Sequence, residues 1–207
     1  TKEELLGYEK EILGVYVSGH PLDEYTGMVK KYITNVSSDF EIDDETGETK
    51  VKDGAVATIG GLITNKTIKT TKKGQLMAFF TLEDVVGTVE VVVFPNSFTA
   101  NRVVIDHAEK VFVTGKVQAN VDENAKLICD KVVDFASIPR KLWIRFASLS
   151  DYEDKKDELY GILYNSDGKD TVVIYCTKEN KRLTLPSSRT IRVDSELIQK
   201  LQAMYGE

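Results

Sequence analysis

Cysteine and histidine are scarce in this 207-residue chain, with two of each, and tryptophan occurs once. Cys129 and Cys176 stand far apart, each inside a strand-like run. With no CxxC and no Cys/His cluster, a zinc site is not indicated, and both read as buried free thiols. His20, between Gly19 and Pro21, has no second His, Cys or carboxylate at ligand spacing and reads as a hydrogen-bonded corner. There is no glycine-rich phosphate loop, and no carboxylate pair sits in a strand context suited to two-metal phosphoryl transfer. No catalytic residue, metal or cofactor is therefore expected. A run of 18 apolar residues is also missing, as is a basic, apolar, small-residue leader, so a cytoplasmic protein with no membrane span is expected.

What is present describes an ordinary folded protein: 42% hydrophobic and 29% charged residues, in a length that suits two small domains. The net charge of −6 argues against a general nucleic-acid coat but leaves room for a local site, because salt confines charge effects to about 8–10 Å. Charge is segregated. Ser38–Glu48 holds six acids and no base, whereas Lys66–Lys73 holds four lysines and no acid.

The chain is organised around Lys72–Pro95, KKGQLMAFFTLEDVVGTVEVVVFP. Ala78, Phe80 and Leu82 alternate with Met77, Phe79 and Thr81, and Val89, Val91 and Val93 alternate with Thr88, Glu90 and Val92. This two-residue period predicts two strands with one buried face. Gly87 and Glu83-Asp84 supply the turn between them. An outward Phe79 suits either a base-stacking platform, as strands two and three of an OB barrel present, or a surface covered by a neighbouring domain.

In chain order, residues 2–17 read as a helix with apolar positions at Leu5, Tyr8, Ile12 and Val15/Tyr16, stopped by Gly19. Pro21 opens a second helix over Leu22–Ile33. Residues 36–53 are polar and acidic and read as a linker or a surface excursion, the charge run being a solvated loop. Strands follow at Ala55–Thr67, with a bend at Gly60-Gly61, then a lysine loop at Ile68–Gly74 and the hairpin above. A helical segment within Pro95–Glu109 precedes further strands at Lys110–Asn120 and Lys126–Phe135. Five strands with a helix between the third and fourth make an OB-fold β-barrel. After Pro139 come a strand at Leu142–Leu149, in which Trp143 and Ile144 compete for the core, and a helix at Asp151–Tyr164 begun by a capping box at Ser150–Glu153. Strands at Thr171–Thr177, Arg182–Leu185 and Thr190–Val193 lead to a last helix, capped by Asp194/Ser195 and ended by Gly206. The expected organisation is a helical segment at 1–35, an acidic linker at 36–53, an OB domain at 54–137 and a small α/β domain at 138–207.

These residues resemble a known family. Glu9–Tyr25, EKEILGVYVSGHPLDEY, looks like the segment preceding the OB domain in the α subunit of bacterial DNA polymerase III, a C-family replicative polymerase. Ile59–Ile63, Lys73-Gly74, Met77–Asp84 and Gly87–Pro95 resemble that subunit's OB strands, and Arg192-Val193-Asp194 is similar to its C-terminal domain. The resemblance covers essentially the whole chain and identifies it as a C-terminal region. It implies that the parent is a DNA-directed DNA polymerase whose catalytic aspartates, exonuclease metal site and sliding-clamp motif lie upstream. It also implies that the OB domain binds single-stranded template DNA and that the last domain docks the clamp-loader tau subunit. Gln75–Phe80 mimics a clamp motif in its letters but lies in a predicted strand.

Bottom-up chemistry proposes Lys66, Lys69, Lys72 and Lys73 for backbone phosphates and Phe79 for base stacking, with Arg102 and Lys116 extending the path. The OB segment carries nine bases and nine acids, so weak, salt-sensitive binding is expected. Trp143, Tyr160, Tyr164 and the last helix are the docking candidates of the C-terminal domain. Two other readings remain open: a stand-alone RNA- or tRNA-binding barrel, and a spacer that binds nothing.

Overall fold

In the computed structural model, which describes residues 2–13, 16–164, 167–186 and 188–205, the chain divides into two compact units, residues 1–137 and 138–207. Val15 and Gly206, to which helix roles were assigned above, lie outside the described residues.

The first unit is built on a closed five-stranded barrel: β1 (Val56–Thr70), β2 (Leu76–Glu83), β3 (Thr88–Val93), β4 (Lys110–Gln118) and β5 (Lys126–Asp134), in the order β1-β2-β3-β5-β4. The alternation in β2 and β3 holds as expected. Ala78, Phe80, Leu82, Val89, Val91 and Val93 are buried inside, and only Val92 of the outward set is also buried. A 15-residue β1 serves two neighbours, pairing with β4 over Val56–Leu62 and with β2 over Leu62–Thr70. The handover falls at the glycine pair, where space decides the residue type. A Cβ on Gly61 would lie 2.6 Å from the Glu83 carbonyl oxygen, and one on Gly60 2.8 Å from the Phe112 ring.

Past the handover, β1 differs from expectation. Ile68–Gly74 is not a loop: the strand continues to Thr70, and only a short turn, Thr71–Gln75, remains. The ladder tolerates this length because one extra residue is absorbed between Thr64 and Thr67, where Asn65 takes a positive φ of 49°. Helix α3, numbered after the two N-terminal helices α1 (Lys2–Leu13) and α2 (Thr26–Tyr32), spans Pro95–His107 and packs Phe98 and Ile105 into the barrel core.

The N-terminal segment is docked through aromatic rings. Tyr25 meets Phe135 at 5.4 Å, Tyr32 meets Phe112 at 5.5 Å, and Phe112 meets Phe135 at 4.3 Å between centroids. The helices are shorter than the sequence suggests, because residues 16–22 are held by side chains instead. The Glu9 carboxylate accepts hydrogen bonds from the Val17 and Ser18 N–H groups and from Ser18 Oγ. The Ser18 hydroxyl first, then the two amides, hold that carboxyl below the usual range. His20 forms the expected hydrogen-bonded corner: its backbone N–H donates to Asp23 Oδ2 at 2.7 Å and its ring Nδ1 accepts from the Leu22 N–H. The apolar stripe of α1 is a correction. Leu5, Tyr8 and Ile12 are exposed and Leu6 is buried instead, beside Tyr16, Pro21 and Leu62.

The acidic segment is the larger correction. Residues 36–53 are a surface excursion and not a free linker, for the segment carries three anchors, Ser37, Phe40 and Val51, all buried, with Phe40 and Val51 in the barrel core. A hairpin with a single Ile42–Thr49 bridge projects from it, turned by Asp43, whose side chain accepts from the Glu45 and Thr46 N–H groups. The acids face water while the apolar residues between them pack.

The second unit is a three-stranded sheet in the order β6-β7-β8, with β6 (Lys141–Phe146) parallel to β7 (Thr171–Cys176) and β8 (Lys181–Thr184) antiparallel to it. Ile144, Phe146, Val172, Ile174 and Cys176 form its core with α4 (Leu149–Leu163) and α5 (Ser195–Tyr205). Ile144 thus takes the buried position, and Trp143 is 52% exposed. The N-cap of α4 is Ser148 rather than Ser150, its side chain accepting from the Asp151 N–H at 3.2 Å. Asp194 caps α5, accepting from the Leu197 N–H. Thr190–Val193 forms no strand, only the Asp170–Ile191 bridge.

Buried Asp170 binds this unit together. Its carboxylate accepts from the Arg140 N–H at 2.8 Å, the Val193 N–H at 2.9 Å and the Arg140 guanidinium at 3.1 Å. Burial pushes its pKa up, but these donors together outweigh burial and hold the carboxyl below its ordinary value. A depressed folded-state pKa adds stability that is complete above the unfolded value, about 4, and lost as pH falls through the folded value. Asp170→Asn is therefore expected to destabilise the unit by about 2 kcal/mol at pH 7. Urea melts at pH 7 and pH 3 check this, and the difference between variant and parent must shrink at the lower pH. Both cysteines are buried and free; burial, then the charge of Asp130, pushes the Cys129 thiol up to about 12, which leaves it unreactive.

Candidate nucleic-acid interface

Of the sequence-derived candidates, Phe79 stands on the outer face of β2, and the register fixes which residues stand beside it. Thr67 faces Phe79 across β1–β2, Phe79 faces Val92 across β2–β3, and Lys69 faces Met77. Side chains two residues apart share a face, so Lys69, Thr67, Met77, Phe79, Thr81 and Glu90 look outward together. Phe79 is half-buried, and the Lys69 ammonium sits 5.2 Å from its ring centroid. This is a cation–π contact that keeps an outward ring partly covered.

Beside that pair lies a groove of about 580 Å³, walled by Phe79, Thr81 and Glu90 from the strands and by Asn65 from the β1 bulge. Its far wall is Glu123–Lys126 from the β4–β5 connection, with Phe40 and Glu41 from the acidic segment. That wall is held by backbone and side-chain bonds: the Ala125 N–H donates to the Phe40 carbonyl, and Asn124 Oδ1 accepts from the Ile42 N–H. Electrostatically the groove lining is acidic: Glu41, Glu90 and Glu123 line it, with Lys126 answering Glu90 at 3.1 Å, while Lys69, Lys72 and Lys73 stand outside the lining.

The seven candidates separate accordingly. Lys69 and Phe79 are brought together. Lys72 and Lys73 are exposed at the centre of the Thr71–Gln75 turn, closed by the Gly74 N–H donating to the Thr71 carbonyl, with Gly74 at a φ of +76°. Lys66 is diverted: its Nζ donates to the Ile105 carbonyl at 2.7 Å and the Asp106 carbonyl at 3.3 Å, satisfying the C-terminus of α3. Arg102, on α3, pairs with Asp106 at 3.4 Å and lies outside the groove lining. Lys116 faces outward on β4, opposite Ile128 of β5, which in turn faces Val92. It shares Phe79's row but three strands around the barrel. Asn65, Glu123, Asn124 and Lys126 were missed, although an Asn inside a β-branched run is a legible bulge signal.

The barrel is an OB fold: residues 57–134 match the tRNA_anti-codon family, described as an OB-fold nucleic acid binding domain. Over its whole length, the chain is a homologue of one segment of the bacterial DNA polymerase III alpha subunit. It is 31% identical over 210 residues to that of Borreliella burgdorferi, covering 96% of this chain and 18% of that one. Against Aquifex aeolicus it is 30% identical over 208 residues, covering 96% and 17%. Against Halalkalibacterium halodurans it is 27% identical over 212 residues, covering 100% and 18%. The chain thus spans less than a fifth of the relatives it matches. A solved structure of the yeast mitochondrial single-stranded DNA binding protein Rim1 is similar at 16% identity and a TM-score of 0.32, over 40% of this chain and 97% of that one, too slight a likeness to carry weight. Among the described residues no helix is long and apolar enough to cross a membrane.

Proposed function

We propose that this chain is the part of a replicative DNA polymerase alpha subunit that holds single-stranded template DNA, through the outer face of β2 and β3. The observation that carries this reading is the Lys69–Phe79 pair at the edge of the groove, next to the Lys72-Lys73 turn. A base stacks on the Phe79 ring, and the adjoining phosphates meet Lys69, Lys72 and Lys73 without sequence being read. The acids lining the groove, Glu41, Glu90 and Glu123, repel phosphates, so the strand's backbone runs toward the lysines outside it. The homology to polymerase alpha subunits supports replication as the setting, and catalysis belongs to parts of the parent outside this chain. The resemblance further supports docking of the clamp-loader tau subunit by the second unit, where Tyr164 is exposed under the Arg189 guanidinium, 4.9 Å from its ring.

The test is fluorescence anisotropy of a labelled oligodeoxynucleotide over a salt series. Three phosphate contacts give a slope of log affinity on log salt of about −2. Changing Lys69, Lys72 and Lys73 to Ala should flatten it, and Phe79→Ala should weaken binding by about 1–3 kcal/mol at every salt concentration. Absence of binding at low salt would remove the barrel as an autonomous DNA site and leave docking and spacing as its role.

A further inference from the structure

The second unit carries a surface that the barrel reading does not use. Helices α4 and α5 pack on the Ile144, Phe146 and Ile174 side of its sheet. On the other side, strand register sets Arg145 beside Tyr175 and Tyr175 beside Arg182, in one row across three strands. Trp143, two residues from Arg145 and so on the same face, is 52% exposed, with the Arg182 guanidinium 5.7 Å from its ring. The three strands hold four bases, Lys141, Arg145, Lys181 and Arg182, and no acid, in a chain whose net charge is −6. At the β6 edge, beside Trp143, lies a groove of about 430 Å³ lined by Arg145 and Tyr175 of this face, by Ile144 of the helix side, and by Ile198, Leu201 and Tyr205 of α5.

We infer that this face is a second single-stranded nucleic-acid surface, on which an unpaired base stacks against Trp143 while Arg145 and Arg182 neutralise the flanking phosphates. The chemistry favours this occupant. Two aromatic rings on an open sheet offer flat apolar area to planar groups, and guanidinium groups between them match phosphate. An acidic peptide would use the arginines and leave the rings without a role. The observation is independent of the barrel groove, so either site can fail alone.

Trp143 is the only tryptophan in the chain, so its emission reports on this face directly. Unlabelled oligothymidylate titrated into the full chain should quench it. The quench should persist in the Lys69, Lys72, Lys73 triple-Ala variant and weaken at least about fivefold in apparent affinity with Arg145→Glu plus Arg182→Glu. Circular dichroism of that variant establishes that it is folded, and Arg145→Lys plus Arg182→Lys, which keeps the charge, should retain most of the binding. An emission unchanged at saturating oligonucleotide would overturn the proposal. So would quenching lost in the lysine variant, or quenching by polyglutamate but not by oligothymidylate, which would mark an acidic-peptide surface instead.

Discussion

Gly115→Ala is expected to unfold the barrel, at a cost of about 4 kcal/mol or more. Gly115 lies in β4 opposite Cys129, where the β4–β5 register shifts by one residue. A Cβ there would stand 2.1 Å from the Ile128 carbonyl oxygen and 2.8 Å from its carbon. Both are backbone atoms of the facing strand, so no side-chain rotation relieves the clash, and separating the strands breaks the ladder that closes the barrel. The bulge that brings them so close is itself satisfied from outside the sheet. Asn101 of α3 donates to the Asp130 carbonyl at 3.1 Å and accepts from the Val132 N–H at 2.8 Å. Urea unfolding followed by far-UV circular dichroism checks the expectation. Gly27→Ala in α2, where a Cβ meets nothing within 4 Å, should instead be neutral or stabilise by up to about 1 kcal/mol. Similar effects from the two substitutions would refute the steric account.

The alternation of β2 and β3 was legible because a barrel strand has one wet and one dry face, and the period of two is written in consecutive residues. The outward position of Phe79 followed from that alone. The positions of the lysines did not, because where β1 ends depends on a bulge at Asn65 and on pairing with β2, not on local composition. Four lysines close in sequence therefore separate in space: one satisfies helix carbonyls, one covers a ring, and two stand on the turn. The anchoring of the acidic segment is not legible in the sequence for a related reason. Charge density describes only the side chains that face water, and three residues, Ser37, Phe40 and Val51, decide where the segment lies. In the second unit, Trp143 and Ile144 compete for the core by sequence, and the side on which α4 and α5 pack separates them.

Asp84 shows how a contact invisible in the sequence reaches the candidate site, and its removal should have the other large effect. Read as turn chemistry, it does accept from the Val86 and Gly87 N–H groups at 2.9 Å each. It also reaches back 47 residues, accepting from the Ser37 N–H at 2.7 Å and Ser37 Oγ at 2.6 Å, with both residues buried. One carboxylate thus shapes the β2–β3 turn and pins the segment that supplies Phe40 and Glu41 to the groove. Asp84→Ala strands a buried amide and hydroxyl together with two turn amides, and the expected loss is about 3 kcal/mol in the stability of the first unit. Ser37→Ala removes only the hydroxyl's bond and should cost about 1 kcal/mol. Urea melts by circular dichroism measure both, with the emission of Trp143 reporting on the second unit. Because the pinned segment brings Glu41 to the groove, release by Asp84→Ala should also lessen phosphate repulsion. At a temperature where the variant remains folded, oligonucleotide affinity at low salt should rise even as stability falls. If affinity and stability fell together, the segment would be a support for the binding face, not a charge barrier beside it.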